Sequence, residues 1–130
     1  MAKLLVVDHD KKALEDLCRL LKKDGHEVVG VGGGGEALQM LPYVRPDLVV
    51  TDLEMMPVDG MKVLQAAKEC DPHTAVIITS AYATVRGAVS AMKGGAADFL
   101  SKPYYFSFLK RSIDEAIRAR CRPDAVAPTG

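Results

Sequence analysis

Short apolar runs and longer stretches of helical periodicity alternate five times along the chain. The apolar runs are continuous and rich in Val, Leu and Ile, which is typical of strands buried on both faces of a parallel sheet. The stretches between them place apolar residues at helical spacing, as Leu14, Leu17 and Leu21 do. This alternation predicts an α/β fold with a doubly wound, five-stranded parallel sheet. The predicted strands are 3–7, 28–31, 48–51, 75–79 and 97–100, and the predicted helices are about 10–23, 36–41, 60–70, 84–93 and 106–120.

Capping residues, glycine and proline set the predicted ends of these elements. Asp10 is placed to cap the first helix, and binding a metal ion is the alternative role for its carboxylate. The four glycines of 32–35 predict a flexible loop, and Pro42 is expected to end the short second helix. Residues 122–130 have no periodicity, which predicts a linker or tail after one domain at 1–121.

Composition narrows the functional classes. The chain has 130 residues, 48% of them hydrophobic, which suffices for one domain with a core and is too short for two. Its 17 basic and 17 acidic residues balance, so we expect no direct binding of nucleic acid by this segment. No apolar run reaches the length of a membrane span, and the first residues lack the apolar core of a signal peptide. Three widely spaced cysteines favour a reducing, cytoplasmic setting.

Polar side chains follow three of the predicted strands at the point where each strand ends. Asp8 comes after the first strand, Asp52 after the third and Lys102 after the fifth. The ends of parallel strands lie at one edge of the sheet, where open α/β sheets bind ligands. A carboxylate can attack a phosphoryl group, while a hard cation and a lysine offset the negative charge of the reactants. With a hydroxyl group from Ser80 or Thr79, these residues predict a divalent-metal and phosphoryl site.

Six motifs follow one another along the chain: L-L-V-V-D at 4–8, G-E-A-L at 35–38, P-D-L-V-V-T-D-L at 46–53, V-D-G at 58–60, V-I-I-T-S-A at 76–81 and G-A-A-D-F-L-S-K-P at 95–103. Together they resemble the receiver domains of bacterial two-component response regulators over nearly the whole chain. The resemblance implies a flavodoxin-like (β/α)5 fold with sheet order 2-1-3-4-5. It also implies a phosphorylation-dependent signalling switch, a regulatory domain rather than an enzyme, whose donor is a sensor histidine kinase or a phosphotransfer protein. Similarity to receivers attached to transcription activators of the nitrogen-regulation type implies transcription regulation.

The resemblance implies a role for each matching residue. Asp52 matches the phosphoacceptor, Ser80 the hydroxyl that closes on the phosphoryl group, and Lys102 the lysine beside it. Asp8, Asp52 and the backbone carbonyl of Glu54 match the ligands of a Mg²⁺ ion. Thr79, which precedes Ser80, is expected to lie inside the fourth strand.

Two positions depart from the family pattern. His9 stands where the family has a second acidic metal ligand, and an imidazole suits softer ions such as Mn²⁺ better than Mg²⁺. Either His9 is an exposed loop residue or it binds the metal, and Asp10 is the alternative ligand. Met56 stands where the family has proline, and Pro57 follows it, which predicts a reshaped loop around the Glu54 carbonyl.

Aromatic residues concentrate beside the predicted switch. Phe99 matches the aromatic residue that turns inward on activation in the family. Tyr104, Tyr105 and Phe108 lie too close together at the start of a helix for all of them to face inward. With Tyr82, we expect them to form a surface beside Phe99 that binds a partner or a second copy of the chain after phosphorylation.

Two other functions stay open. Asp8 and Asp10 satisfy the D-x-D motif of phosphatases of the haloacid-dehalogenase type, which would use both carboxylates. That hypothesis conflicts with Lys12, where the motif has Thr or Val, and it leaves Asp52 without a role. The second alternative is a receiver-like interaction module that is never phosphorylated, which the two departures from the family pattern favour.

Overall fold

The computed structural model describes residues 2–121, in which five parallel strands alternate with five helices. The elements are β1 (Lys3–Val7), α1 (Lys11–Lys23), β2 (Glu27–Val31), α2 (Gly34–Val44), β3 (Leu48–Asp52), α3 (Gly60–Cys70), β4 (Ala75–Ser80), α4 (Val85–Lys93), β5 (Asp98–Ser101) and α5 (Phe106–Cys121). The strand order β2-β1-β3-β4-β5 confirms the predicted flavodoxin-like sheet. No helix in this part of the chain is long and apolar enough to cross a membrane. The predicted linker or tail at 122–130 lies outside the described residues.

The three central strands are buried along nearly their whole length. β3 and β4 are buried at every position, and β1 is buried at all but its first residue. In the parallel register, Leu5 of β1 pairs with Val29 of β2 and with Val49 of β3, and Val49 also pairs with Val76 of β4. Because helices cover both faces, these strands are apolar throughout rather than alternating, which explains why the sequence pattern located them.

Two hydrophobic cores, one on each face of the sheet, hold the helices in place. Successive strand residues point to opposite faces, so Leu5 joins the first core and Leu4 the second. Helices α2, α3 and α4 cover the first core, and α1 and α5 cover the second, which confirms the doubly wound arrangement. The buried helix residues are Ala37, Leu41, Val63, Leu64, Ala67 and Ala91 in the first core, and Leu21, Leu109 and Ile113 in the second.

The second helix is longer than the sequence predicted. α2 includes Pro42 and continues to Val44, so the prediction that Pro42 ends this helix is wrong. Leu41 and Val44 are both buried, and their burial offsets the hydrogen bond that a proline inside a helix removes. The helix ends at Arg45 instead, whose φ of 48° lies in the left-handed region that ends many helices.

The glycine-rich segment is only partly a loop. Gly34 and Gly35 belong to the first turn of α2, and Gly33 is the N-cap residue. A Cβ atom on Gly34 would lie 2.2 Å from the carbonyl oxygen of Val58, so only glycine lets the helix approach the chain before α3 this closely. The loop predicted over 32–35 is therefore confined to its first two residues.

Candidate functional site

Three charged side chains meet at the carboxyl edge of the sheet. Asp8 follows β1, Asp52 is the last residue of β3, and Lys102 follows β5. The Lys102 Nζ atom lies 3.1 Å from Asp8 Oδ2 and 3.5 Å from Asp52 Oδ1. Both carboxylates are buried, and Asp52 is only 2% exposed. Two buried carboxylates with one ammonium group leave the site net negative, and such a site attracts a further cation.

The surroundings of Asp52 destabilise its charged form. Burial raises the pKa of this carboxyl above its ordinary value, Lys102 lowers it, and repulsion from Asp8 raises it again. Smaller effects come from Glu54, which raises the pKa, and from His9, which lowers it. The Oδ1 atom of Asp52 is buried and accepts no hydrogen bond from any described residue. A buried acceptor without a donor fits a group that a bound cation or a phosphoryl group completes.

Lys102 is a positive charge held beside Asp52. Burial by itself would lower the pKa of this lysine, but attraction to Asp8 and Asp52 and the hydrogen bond to Asp8 outweigh burial and raise it. The backbone N–H of Lys102 donates to the carbonyl oxygen of Ser80 at 2.7 Å. That bond ties the residue after β5 to the end of β4, so the sheet holds the backbone from which the Lys102 side chain projects.

His9 contacts the acidic pair. Its Nδ1 atom lies 3.0 Å from Asp52 Oδ2 and 3.9 Å from Asp8 Oδ1, although 60% of the side chain is exposed. One ligand atom from each of these three residues lies within 4.8 Å of the other two. Two carboxylates and an imidazole form a donor set that fits a divalent first-row metal ion. The buried Oδ1 atom of Asp52, which accepts no hydrogen bond from a described residue, supports the same conclusion.

Asp10 caps the first helix. Its carboxylate accepts hydrogen bonds from the N–H groups of Lys12 and Ala13 at 3.1 and 3.2 Å. Its own N–H donates to Asp8 Oδ1 at 2.9 Å, so the backbone of Asp10 positions the Asp8 carboxylate. Of the two roles considered for Asp10, the structure favours capping. The Asp10 carboxylate is therefore engaged by the helix, whereas the phosphatase hypothesis requires it to act beside Asp8.

The side chain of Glu54 binds the segment that follows β4. Its carboxylate accepts hydrogen bonds from the hydroxyl group of Ser80 and from the N–H of Ala81, the latter at 3.0 Å. Ser80 Oγ in turn accepts the N–H of Tyr82 at 3.1 Å. Ser80 is fully buried, and Thr79 before it lies inside β4, as predicted. The family resemblance implies a role only for the backbone carbonyl of Glu54, and residue spacing does not show where a loop side chain points.

The start of α3 fixes the loop that follows β3. A Cβ atom on Gly60 would lie 2.4 Å from the carbonyl oxygen of Asp52, so α3 can begin this close to β3 only at a glycine. Asp59 caps the helix by accepting a backbone N–H at 3.0 Å. Met55 anchors the loop in the first core, whereas Met56 is 93% exposed. The residue that departs from the family pattern therefore projects outward, and its neighbour supplies the packing.

The predicted aromatic surface is present only in part. Tyr82 and Tyr105 are exposed, and Tyr105 packs edge-on against the half-exposed ring of Phe108 at a centroid distance of 5.9 Å. Phe99 is partly buried against the first core. Tyr104 is partly buried against the second core, on the other side of the sheet, which corrects its predicted place in the surface. Adjacent residues after β5 thus point in different directions, as they do along a strand.

Helix α4 also carries exposed apolar residues. Val85, Val89 and Met92 recur at helical spacing and are exposed, while Ala91 provides the buried contact of the helix. A small residue faces the core here, and larger apolar residues face outward, which is the reverse of an ordinary amphipathic helix. We call Tyr82, Val85, Val89, Met92, Tyr105 and Phe108 the exposed apolar face.

This fold, with Asp8, Asp52 and Lys102 together at one edge of the sheet, defines a receiver domain. Comparison with known proteins agrees. The sequence model of the family described as "Response regulator receiver domain" matches residues 4–114. The chain therefore belongs to the response regulator receiver domain family.

Curated relatives are longer proteins. Over 116 residues, 89% of this chain, it is 36% identical to the transcriptional regulatory protein GlrR of Escherichia coli (strain K12). Over 118 residues, 91% of this chain, it is 35% identical to the transcriptional regulatory protein PrrA of Mycobacterium tuberculosis (strain ATCC 25618 / H37Rv). The matched regions make up 26% of GlrR and 51% of PrrA, so the chain spans between a quarter and a half of these relatives.

Solved receiver structures share the whole fold. A response regulator receiver domain protein from Clostridium thermocellum is 35% identical, with a TM-score of 0.86 over 91% of this chain and 95% of that one. The signal receiver domain of a putative Luxo repressor protein from Vibrio parahaemolyticus is 27% identical, with a TM-score of 0.87 over 98% of both chains. The five-stranded architecture is therefore that of experimentally determined receivers.

Proposed function

We propose that this receiver domain is a phosphorylation-dependent switch whose phosphoacceptor is Asp52. The proposal is carried by the buried Oδ1 atom of Asp52, which lies 3.5 Å from the Lys102 ammonium group and accepts no hydrogen bond from a described residue. The Asp52 carboxylate would attack the phosphorus of a phosphohistidine on a sensor histidine kinase or phosphotransfer protein. An O–P bond forms while the N–P bond breaks, and the departing histidine nitrogen keeps the electron pair.

Cations around Asp52 make this attack on an anionic donor feasible. Lys102 is placed to bind a phosphoryl oxygen. Asp8, Asp52 and the backbone carbonyl of Glu54 would hold Mg²⁺, and His9 adds a nitrogen atom that also suits Mn²⁺. The bound metal ion would neutralise part of the negative charge that makes the Asp52 carboxylate and the phosphoryl donor repel each other.

Ser80 and Phe99 would transmit the change to the surface. Ser80 ends β4, and Phe99 of β5 pairs with Ile78 of β4, so a movement at the end of β4 would be passed to Phe99 through the paired backbone. The hydroxyl group would turn to a phosphoryl oxygen, its loop would follow, and Phe99 would turn inward. The exposed apolar face would then bind a partner or a second copy of the chain.

The relatives suggest what the switch controls. GlrR and PrrA are named transcriptional regulatory proteins, and we infer from them that this domain takes part in transcription regulation. Equal numbers of basic and acidic residues support a role for the domain in binding proteins rather than nucleic acid.

Phosphorylation with acetyl phosphate and Mg²⁺, followed by intact-mass spectrometry, tests the phosphoacceptor. The parent chain should gain one phosphoryl group, and Asp52→Asn should gain none. Asp59→Asn is the matched control, because asparagine also caps helices and the exchange leaves the cluster around Asp52 intact. Label retained in Asp52→Asn but lost in Asp8→Asn would favour the phosphatase. An unlabelled parent would favour the interaction module.

A further inference from the structure

The carboxylate of Glu54 is fully engaged by the loop between β4 and α4. One oxygen accepts the hydroxyl group of Ser80, and the other accepts the N–H of Ala81 at 3.0 Å. Hydrogen bonds to a charged acceptor are about twice as strong as neutral ones. Ser80 Oγ also accepts the N–H of Tyr82, so Glu54 binds Ser80 and Ala81 directly and is linked to Tyr82 through Ser80. None of these three hydrogen bonds involves Asp52.

The two groups that donate hydrogen bonds to Glu54 have one hydrogen each. A serine hydroxyl has one hydrogen to donate, and so does a backbone N–H. Neither Ser80 nor Ala81 can therefore donate fully to Glu54 and to a phosphoryl oxygen at the same time. Binding of a phosphoryl group by Ser80, as the proposed function requires, must break the bond to Glu54 first.

We propose that Glu54 is a positioning residue that latches the loop after β4 in its resting arrangement and is displaced when Asp52 is phosphorylated. This inference rests on the proposed function and adds that Glu54 competes with the phosphoryl group for Ser80 and Ala81. In the resting domain Glu54 satisfies Ser80 and Ala81. In the phosphorylated domain the phosphoryl oxygens take over these donors, and Glu54 turns to solvent.

Electrostatics favours this exchange. The Glu54 carboxylate is near enough to raise the pKa of Asp52, so the two side chains sense each other's charge. A phosphoryl group brings about two negative charges at neutral pH and repels Glu54 as it attracts Ser80. Glu54 is only partly buried and can leave, and residues 81–84 of the loop are exposed and have room to move. Phosphorylation of Asp52 thus supplies the phosphoryl oxygens as new acceptors and weakens the hold of Glu54 on the loop.

The latch lowers the population of the phosphoryl-binding arrangement, and its removal should raise the apparent affinity for a phosphoryl mimic. Beryllofluoride at saturating Mg²⁺ is the probe, and calorimetry measures its binding. Glu54→Ala should bind beryllofluoride about tenfold more tightly than the parent, because the carboxylate no longer competes with the mimic for Ser80 and Ala81. Glu69→Ala, which removes an exposed glutamate at the far end of α3, should bind as the parent does.

Loss of repulsion is the competing explanation for tighter binding, and two variants separate it from the latch. Glu54→Gln removes the charge but keeps an acceptor, so simple repulsion predicts the same gain as Glu54→Ala, whereas the latch predicts a smaller one. In a Ser80→Ala background the latch has lost its main donor, so Glu54→Ala should add little there. The latch would be overturned if Glu54→Gln and Glu54→Ala gave equal gains in beryllofluoride affinity and if Glu54→Ala kept its full gain in the Ser80→Ala background.

A second measurement uses the unphosphorylated domain. Hydrogen exchange at the Ala81 amide should be about tenfold faster in Glu54→Ala than in the parent, because the amide loses its acceptor. Amides in the core of β3 should exchange as before, which shows that the variant is folded. An unchanged Ala81 amide, or equal beryllofluoride binding by parent and Glu54→Ala, would overturn the latch alone. Failure of beryllofluoride to bind the parent or any variant would overturn the proposed function and the latch with it.

Discussion

The imidazole of His9 and the carboxylate of Asp52 are in direct contact, with 3.0 Å between Nδ1 and Oδ2. The contact lies where the family has a second acidic metal ligand, so a nitrogen atom replaces an oxygen atom beside the proposed phosphoacceptor. Mg²⁺ prefers oxygen ligands, whereas later first-row ions accept imidazole readily. The identity of residue 9 should therefore set which ion the site prefers.

Replacing His9 with aspartate is expected to tighten Mg²⁺ binding about tenfold and to reduce the preference for Mn²⁺, because a hard oxygen ligand replaces nitrogen. Calorimetric titration of both proteins at one pH measures this change. His73→Asp adds the same charge at the opposite edge of the sheet and should have no effect. Nitrogen hyperfine coupling to bound Mn²⁺ should be present in the parent and absent in His9→Asp. Equal or tighter Mg²⁺ binding by the parent would show that another oxygen already completes the site.

Asp52→Asn is expected to increase the free energy of unfolding at pH 7 by on the order of 1 kcal/mol. Burial raises the pKa of Asp52, so between the unfolded and folded pKa values the folded chain binds more protons than the unfolded chain. The stability from this group is present at low pH and is lost as pH rises through that window. Asparagine does not titrate, so the advantage of the variant should shrink toward acid pH.

Urea unfolding of the parent and Asp52→Asn in the presence of a chelator, at neutral and acid pH, measures that difference. Carboxylates remote from Asp52 titrate alike in both proteins and cancel in the comparison. A parent more stable than Asp52→Asn at pH 7 would mean that the attraction between Lys102 and Asp52 outweighs the cost of burial.

The strands were predictable from the sequence because both of their faces are buried. Continuous apolar runs such as the one before Asp52 mark strands that are buried on both faces, and the resemblance to receiver domains implied the sheet order. The end of α2 was not predictable in this way. Pro42 is a local signal against helix, and the burial of Leu41 and Val44, which overrides it, depends on tertiary packing.

The candidate site also has a part that the sequence predicts and a part that it does not. Asp8, Asp52 and Lys102 were found because strand ends fix their position to within a few ångströms. The directions of Glu54 and Tyr104 depend on loop conformation, which neither periodicity nor spacing encodes. The apolar stripe of α4 shows a related limit. Its spacing predicted a helix correctly, but the same stripe fits a core-facing and an outward-facing helix equally well.

Gly60→Ala is expected to lower the free energy of unfolding by about 2 kcal/mol, because its Cβ atom would lie 2.4 Å from the carbonyl oxygen of Asp52 and the backbone must move. Labelling of Asp52 by acetyl phosphate should fall as well, since the same backbone carries the acceptor. Gly35→Ala is the matched control. No atom lies within 4 Å of a Cβ at that helical position, so stability should rise by about 0.5 kcal/mol. Equal stability of both variants would contradict the close approach.

Tyr105→Ala is expected to weaken self-association or partner binding of the beryllofluoride complex about tenfold, without changing labelling of Asp52. Tyr105 is exposed and packs on Phe108, so its ring can be buried by a partner at small entropic cost. Tyr104→Ala should instead lower stability, because that ring packs against the second core. Sedimentation velocity with and without beryllofluoride, together with urea unfolding, separates the two effects. Association that survives both Tyr105→Ala and Tyr82→Ala would place the interaction surface away from the exposed apolar face.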